Sequence, residues 1–278
     1  MIVVLKSEAV VNMYDFHIHT NFSSDSKVAM ESMVMAGIDK GLKELCFTDH
    51  VEFGSIPPFE KKAFDVGVYA CEIERLREKY GKQISIKMGA EIGYQTHVVD
   101  KMSAFTRSAD FDFILCSLHA VDEVKVHNKA LLKGRTTEAV FAKYFEAYYD
   151  CVKDDVIFNV LGHFDLLKRY TPYKGEKVFK DNFDVIEATF KHLIENGKGI
   201  EVNTSGFRFK LGHTLPTTDF LKLYKNLGGE IITIGSDAHS PGYVADKFDY
   251  TYDLLKSVGF DYITRFEKMK PKFIKISL

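Results

Sequence analysis

Short, nearly continuous apolar runs alternate with longer helix-patterned segments, and this rhythm restricts the fold more than any other feature of the chain. The runs are Tyr14–His19, Glu44–Thr48, Ile84–Ile92, Phe111–Leu118, Val156–Leu161, Gly199–Asn203 and Glu230–Gly235. Most are rich in Ile, Val and Phe and too continuous for half-exposed strands, which suits a parallel sheet buried on both faces. Between them, Met30–Lys40, Val66–Tyr80, Val98–Ser108, Thr137–Val152, Phe179–Asn196 and Thr218–Asn226 read as helices. Glycines follow several of these (Gly41, Gly81, Gly197, Gly228), as helix stops should. A last helix near Tyr243–Ser257 and a terminal apolar piece, Phe273–Ile276, complete the pattern. Seven βα units without a linker predict one α/β domain over residues 13–278, with residues 1–12 as an N-terminal extension. Either a closed barrel related to the TIM barrel or an open doubly wound sheet fits. The chain carries no GxGxxG and no Walker loop, which takes support from the nucleotide-binding open sheets.

The placement of acids and histidines decides between them. In Asp15-Phe16-His17-Ile18-His19-Thr20, residues i and i+2 of a strand share a face. His17 and His19 then aim two imidazoles at one point, while Phe16 and Ile18 pack the other way. Later runs end in Thr48-Asp49-His50, Gly89-Ala90-Glu91, Ser117-Leu118-His119, Gly162-His163-Phe164-Asp165 and Gly235-Ser236-Asp237-Ala238-His239, and Asp25 follows the first run. In a parallel barrel every strand C-terminus opens on one mouth, where active sites are built. Taken singly, each residue reads as a satisfied core histidine or a helix cap. Together at one mouth they need cations, because buried charge is rarely left unpaired. One zinc takes about four ligands, so this set suits two or three ions. Imidazole and carboxylate without thiolate suit Zn, Mn or Fe.

Composition narrows the rest. Among 278 residues the net charge is −2, which argues against nucleic-acid binding over a broad surface. Four scattered cysteines without a CxxC pair fit a reducing compartment. No segment reads as a transmembrane span or signal peptide, so no membrane partner and a cytoplasmic location are expected, as a monomer or small homo-oligomer.

The HxHT start, the TDH, the late GSDAH and the order of acids between them resemble the polymerase-and-histidinol-phosphatase (PHP) superfamily. The resemblance runs from about Met13 to Ile276. Within the superfamily, Asp15 to Asp25, Ser117-Leu118-His119, Gly162-His163-Phe164-Asp165-Leu166 and Asn203-Thr204-Ser205-Gly206-Phe207-Arg208 are similar to the histidinol-phosphate phosphatases. The resemblance implies a distorted seven-stranded (βα)7 barrel with a trinuclear metal site at its C-terminal mouth. It implies His17, His19, Glu91 and Asp237 at one ion, a bridging Glu91 with His119 and His163 at a second, and Asp25, His50 and His239 at a third. Asp49, next to His50, reads as an orienter of ligands.

Clustered ions suit hydrolysis of a phosphate ester by metal-activated hydroxide, and the resemblance implies histidinol phosphate as that ester, with a place in histidine biosynthesis. Asp237, His239, Arg208 and Arg169 are the candidate catalytic residues. The two arginines suit a phosphate dianion, since guanidinium forks match its oxygens. Glu52, Tyr94, Glu201 and His97 are candidates to read the substrate's other end. His127, His192 and His213 read as surface or loop residues. Competing readings are another phosphoesterase on the same scaffold (nucleotide phosphatase, protein-tyrosine phosphatase or exonuclease) and a catalytically silent metal-binding domain. An amidohydrolase also starts with HxH but uses a carbamylated Lys bridge, where this chain offers Glu91.

Overall fold

The computed structural model describes residues 12–54, 63–171 and 176–277. Residues 1–11, most of the segment read as an extension, lie outside the described residues. The elements run β1 (Met13–Ile18), α1 (Met30–Asp39), β2 (Leu42–Phe47), β3 (His50–Glu52), α2 (Val66–Tyr80), β4 (Ser85–Gly93), α3 (Val99–Thr106) and β5 (Phe113–Ser117). A small hairpin follows, β6 (Ala120–Val121) with β7 (Val124–Lys125), and then α4 (Thr137–Lys153) and β8 (Val160–Leu161). The chain continues through α5 (Glu176–Asp181), α6 (Phe183–Glu195), β9 (Gly199–Asn203), α7 (Ser205–Arg208), α8 (Thr218–Asn226), β10 (Ile232–Gly235) and α9 (Phe248–Val258). It ends in β11 (Tyr262–Glu267) and β12 (Lys270–Lys275).

The main sheet runs β1-β2-β4-β5-β8-β9-β10, with β3 also pairing β4, and every pairing within it is parallel. A parallel bridge between Ile18 and Ala238 brings its two ends together, and the His19 N–H donates to Ala238 O at 2.9 Å. The result is a nearly closed, distorted TIM-like (βα)7 barrel. Apolar faces of the helices, such as Tyr144, Phe145 and Tyr148 of α4, cover its outer side.

Four differences from the sequence expectation have physical causes. The β1–β2 register shifts between Asp15 and Ile18, a bulge that breaks the two-residue alternation. Ile18 packs into the main core, as expected. Phe16 instead joins Cys46, Phe113, Leu115, Val160 and Phe266 in a separate interior cluster. The helix read over 179–196 is two, α5 and α6, interrupted at Asn182, whose side-chain amide donates to Val178 O at 2.8 Å. The last helix begins only at Phe248, after a short 3-10 turn at Pro241–Tyr243, because Lys247 sits at φ 62° and cannot be helical. The terminal apolar piece is half of an antiparallel hairpin, β11–β12, that closes the barrel floor. Met269 and Lys268 N–H groups donate to Asp112, the Asn159 amide donates to Met269 O, and Phe266 lies 5.1 Å from the Phe113 ring.

Candidate metal centre

The C-terminal strand ends converge on one cavity of about 360 Å³. β1 delivers His17 and His19, β3 begins with His50, and β4 carries Glu91 near its end. His119 and His163 follow β5 and β8, and Asp237 and His239 follow β10. The backbone is bent to present two of these groups: Asp237 has φ 54° and His163 φ 21°, left-handed values that non-glycine residues rarely adopt. Gly235 precedes Asp237 for lack of room, since a Cβ there would lie 2.1 Å from Glu201 Oε1 and 2.4 Å from His17 Cβ.

Glu91 is the hub. Its Oε2 lies 2.8 Å from His50 Nδ1, 3.4 Å from His17 Nε2 and 3.5 Å from His19 Nε2. Its Oε1 lies 2.9 Å from His163 Nε2 and 3.3 Å from His119 Nε2, and accepts the Ser117 hydroxyl at 2.6 Å. Asp237 Oδ1 is 3.4 Å from His19 Nε2 and 3.9 Å from His17 Nε2. Asp25 Oδ2 faces His239 at 3.2 Å and His50 at 3.4 Å. Every residue in the expected ligand set is therefore at this mouth.

Outer hydrogen bonds fix which ring nitrogens face inward. His17 Nδ1 donates to Glu201 Oε1 at 2.6 Å, and His119 Nδ1 donates to Glu52 Oε1 at 2.5 Å. His239 Nδ1 donates to the Asp237 carbonyl at 3.0 Å. His19 Nδ1 lies 3.0 Å from Ser23 Oγ, whose own proton goes to Asp49 at 2.7 Å, so that hydroxyl accepts from the ring. A neutral imidazole protonated at Nδ1 presents a lone pair at Nε2. Those lone pairs meet one another and carboxylates: His17 and His19 Nε2 are 2.9 Å apart, and His119 and His163 Nε2 are 3.5 Å apart. Buried Glu91 Oε2, His50 Nδ1 and His163 Nδ1 have no hydrogen-bond partner among the described residues. Facing lone pairs repel unless a proton or a metal cation lies between them. The donor set thus fits cations, and all-imidazole-and-carboxylate ligation suits Zn, Mn or Fe. Among the described residues, four three-residue groups have donor atoms within 4.8 Å of one another: His17/His19/Asp237, His17/Glu91/His163, His50/Glu91/His119 and His19/His50/His239.

The titration of these groups shows the same demand. Burial pushes Glu91 upward, yet His17, His119 and His50 hold it well below the usual carboxylate range. Burial pushes His119 down, and Glu91 and Glu52 overcome this and raise it to about 9. Burial, with His239 and His50 beside it, keeps His19 well below its ordinary value.

The substrate-contact candidates divide. Arg169 and Arg208 both line the cavity, with the Arg169 guanidinium over Phe209 and that of Arg208 4.7 Å from the Tyr243 ring centre. Glu52 lines it too, while holding His119. Glu201 does not: it is fully buried beneath His17, accepting from His17, the His163 N–H and Asn203. Tyr94 faces away, its hydroxyl on Asp154 at 2.5 Å, because it lies an odd number of strand positions from Glu91. His97 sits exposed in a 3-10 turn lining a separate cleft with Tyr94. His127, read as a loop residue, lines the mouth, as do Tyr170 and Phe209. No motif marks these three, because loop geometry brings them there. Glu201→Gln keeps the shape under His17 and removes the charge. It is expected to weaken ion binding by about 10- to 100-fold, read by chelator competition.

Comparison with known proteins identifies the family. Residues 15–205 match the PHP domain family. A histidinol-phosphatase of Lactococcus lactis subsp. lactis is 30% identical over 258 residues, covering 92% of this chain and 95% of that protein. A probable histidinol-phosphatase of Clostridium acetobutylicum is 29% identical over 230 residues, covering 82% and 86%. A crystal structure of histidinol phosphate phosphatase from L. lactis, complexed with zinc, L-histidinol and phosphate, is similar with a TM-score of 0.85 and 30% identity, covering 93% of this chain and 98% of that one. With its barrel, its ring of strand-end histidines and carboxylates and a family match over most of its length, the chain belongs to the PHP domain family.

Proposed function

We propose that this protein is a metal-dependent phosphomonoesterase that hydrolyses L-histidinol phosphate to L-histidinol and phosphate, in histidine biosynthesis. The observation that carries the reading is one mouth holding both a multi-ion donor set centred on Glu91 and two arginines, Arg169 and Arg208. The solved L. lactis relative, with zinc, L-histidinol and phosphate, supports the same substrate.

His17, His19, Glu91 and Asp237 would hold one ion, Glu91, His119 and His163 a second, and Asp25, His50 and His239 a third. Bound there, two or three divalent cations (Zn, Mn or Fe) supply an activated hydroxide and offset charge on the phosphoryl oxygens. The chain's own part is positioning. Glu201, Glu52 and Ser117 hold His17, His119 and Glu91 in place. Arg169 and Arg208 would bind the phosphate oxygens, and Glu52, at the rim, would meet the cationic end of the substrate. Asp237, which Arg208 touches, and His239, which lines the same cavity, would act beside that phosphate site.

We read residues 13–278 as one domain, a reading supported by the hairpin that ties the chain's end to the barrel floor. We take the partner to be the small ester alone and the protein to be a cytoplasmic monomer or small homo-oligomer. A mouth that mixes acids with its arginines favours this over a nucleic-acid groove. Among the described residues no helix is long and apolar enough to cross a membrane.

The test is phosphate release from histidinol phosphate by purified protein, before and after chelation and with Mn or Zn restored. p-Nitrophenyl phosphate, a nucleotide, a phosphotyrosyl peptide and single-stranded DNA are run in parallel. The expected outcome is a strong preference for histidinol phosphate, lost on chelation and regained with metal. Better turnover of another compound would remove the substrate assignment.

A further inference from the structure

We infer that Ser23 is a positioning residue whose single hydroxyl sets two ligands belonging to different ions, His19 and His50. Ser23 lies in the loop after β1 and is 4% exposed. Its Oγ donates to Asp49 Oδ1 at 2.7 Å, accepts the backbone N–H of His50 at 3.0 Å, and lies 3.0 Å from His19 Nδ1. With its one proton committed to the carboxylate, the oxygen has only lone pairs for the other two neighbours. That forces the His19 proton onto Nδ1 and leaves Nε2 free to face Asp237 and Glu91. The same oxygen anchors the peptide that starts β3 and so the position of the His50 ring.

Asp49 works through Ser23. It is fully buried, and its carboxylate also accepts the Thr20 N–H at 2.6 Å and the Thr20 hydroxyl at 2.8 Å. It makes no side-chain hydrogen bond to a ligand imidazole among those described, so the orienting role expected of it reaches the His19 ring nitrogen by way of the serine hydroxyl. The His19 ring in turn lies between those of His50 and His239, 4.3 and 4.2 Å away. A freed His19 therefore disturbs the Asp25/His50/His239 group as well as its own. The remaining group is held from elsewhere: His119 by Glu52, the His163 backbone by Glu201, and Glu91 by Ser117.

The inference rests on the three-ion reading proposed above and is tested without activity. Ser23→Ala should weaken two classes of bound Zn by about 10- to 100-fold in chelator competition. The third class should keep its wild-type affinity, and far-UV circular dichroism should be unchanged. Wild-type affinity in all classes, or equal weakening of all, would overturn it. A second measurement needs no variant: long-range 1H–15N spectra of the metal-free wild-type protein should show His19 protonated on Nδ1. A proton on Nε2 would overturn the inference whether or not Ser23→Ala folds. If the wild-type protein bound no Zn, the metal reading would fail, and the tautomer measurement would still decide the role of Ser23.

Discussion

Glu91→Gln is expected to lower phosphate release by about three orders of magnitude or more and to release ions from more than one class of site. The carboxylate is fully buried, and its two oxygens serve different neighbours: Oε2 faces His50, His17 and His19, and Oε1 faces His163 and His119. Among the described residues no other acid in the mouth meets five imidazoles. Glutamine keeps the volume and one carbonyl oxygen, but it replaces the other oxygen with an uncharged NH2 group that has no lone pair to offer a cation. Losing the anion removes the shared counter-charge, and cations in such a site supply several kcal/mol of transition-state stabilisation. At about 1.4 kcal/mol per tenfold in rate, about 4 kcal/mol corresponds to about a thousandfold. Metal content by elemental analysis and turnover of histidinol phosphate are measured together. Retained ions with retained turnover would remove Glu91 from the centre of the site. The variant should still fold, because the main core takes Ile86, Met88, Ala90 and Ile92 of β4, which alternate with Glu91 and so face the other way.

The convergence of the candidate ligands on one mouth was legible because its logic is local. A parallel barrel gathers its strand C-termini at one mouth, and HxH, TDH, GAE, SLH and GSDAH each put an imidazole or carboxylate near such an end. The alternating rhythm likewise marks seven of the strands and fixes their parallel order. What lay beyond reach was depth and cross-chain pairing. Glu201 looks like a rim acid from its sequence. It is two positions short of the end of β9, and that displacement along the strand puts it below His17 instead of beside the substrate. The β1 bulge is a matter of register between two strands, which neither strand's sequence states, and it turned Phe16 inward. Tyr94 is the instructive exception. Counting two-residue periodicity from Glu91 puts it on the outer face, so its burial against Asp154 was available from the pattern. The floor hairpin escaped notice because β12 is mostly exposed and reads as charged sequence around Phe273 and Ile274.

Arg208→Ala is expected to lower kcat/KM for histidinol phosphate by roughly 10- to 150-fold while leaving ion affinity near wild type. A hydrogen-bonded contact to a charged group is worth about 1.5–3 kcal/mol, which sets that range. Arg208 also contacts the backbone of the turn before His239. Nη1 donates to Ser236 O at 3.2 Å and Nη2 to Asp237 O at 2.7 Å, across the turn where Asp237 is held at φ 54°. Those bonds use two of five N–H donors, leaving the rest of the fork for an anion in the cavity. The two roles separate experimentally. If Arg208 acted only by bracing the turn, its loss would loosen Asp237 and show as weaker metal binding, and added guanidinium would not help. If it binds the ester, ions stay, kcat/KM falls, and millimolar guanidinium restores part of the rate by refilling the space beside Tyr243. Arg208→Lys sharpens the contrast: the charge survives, but an ammonium cannot bridge two carbonyls and still offer a planar pair of donors to phosphate. Its kcat/KM should therefore fall between those of the wild type and the alanine variant, without guanidinium rescue, because the lysine side chain fills the space that the small cation would occupy.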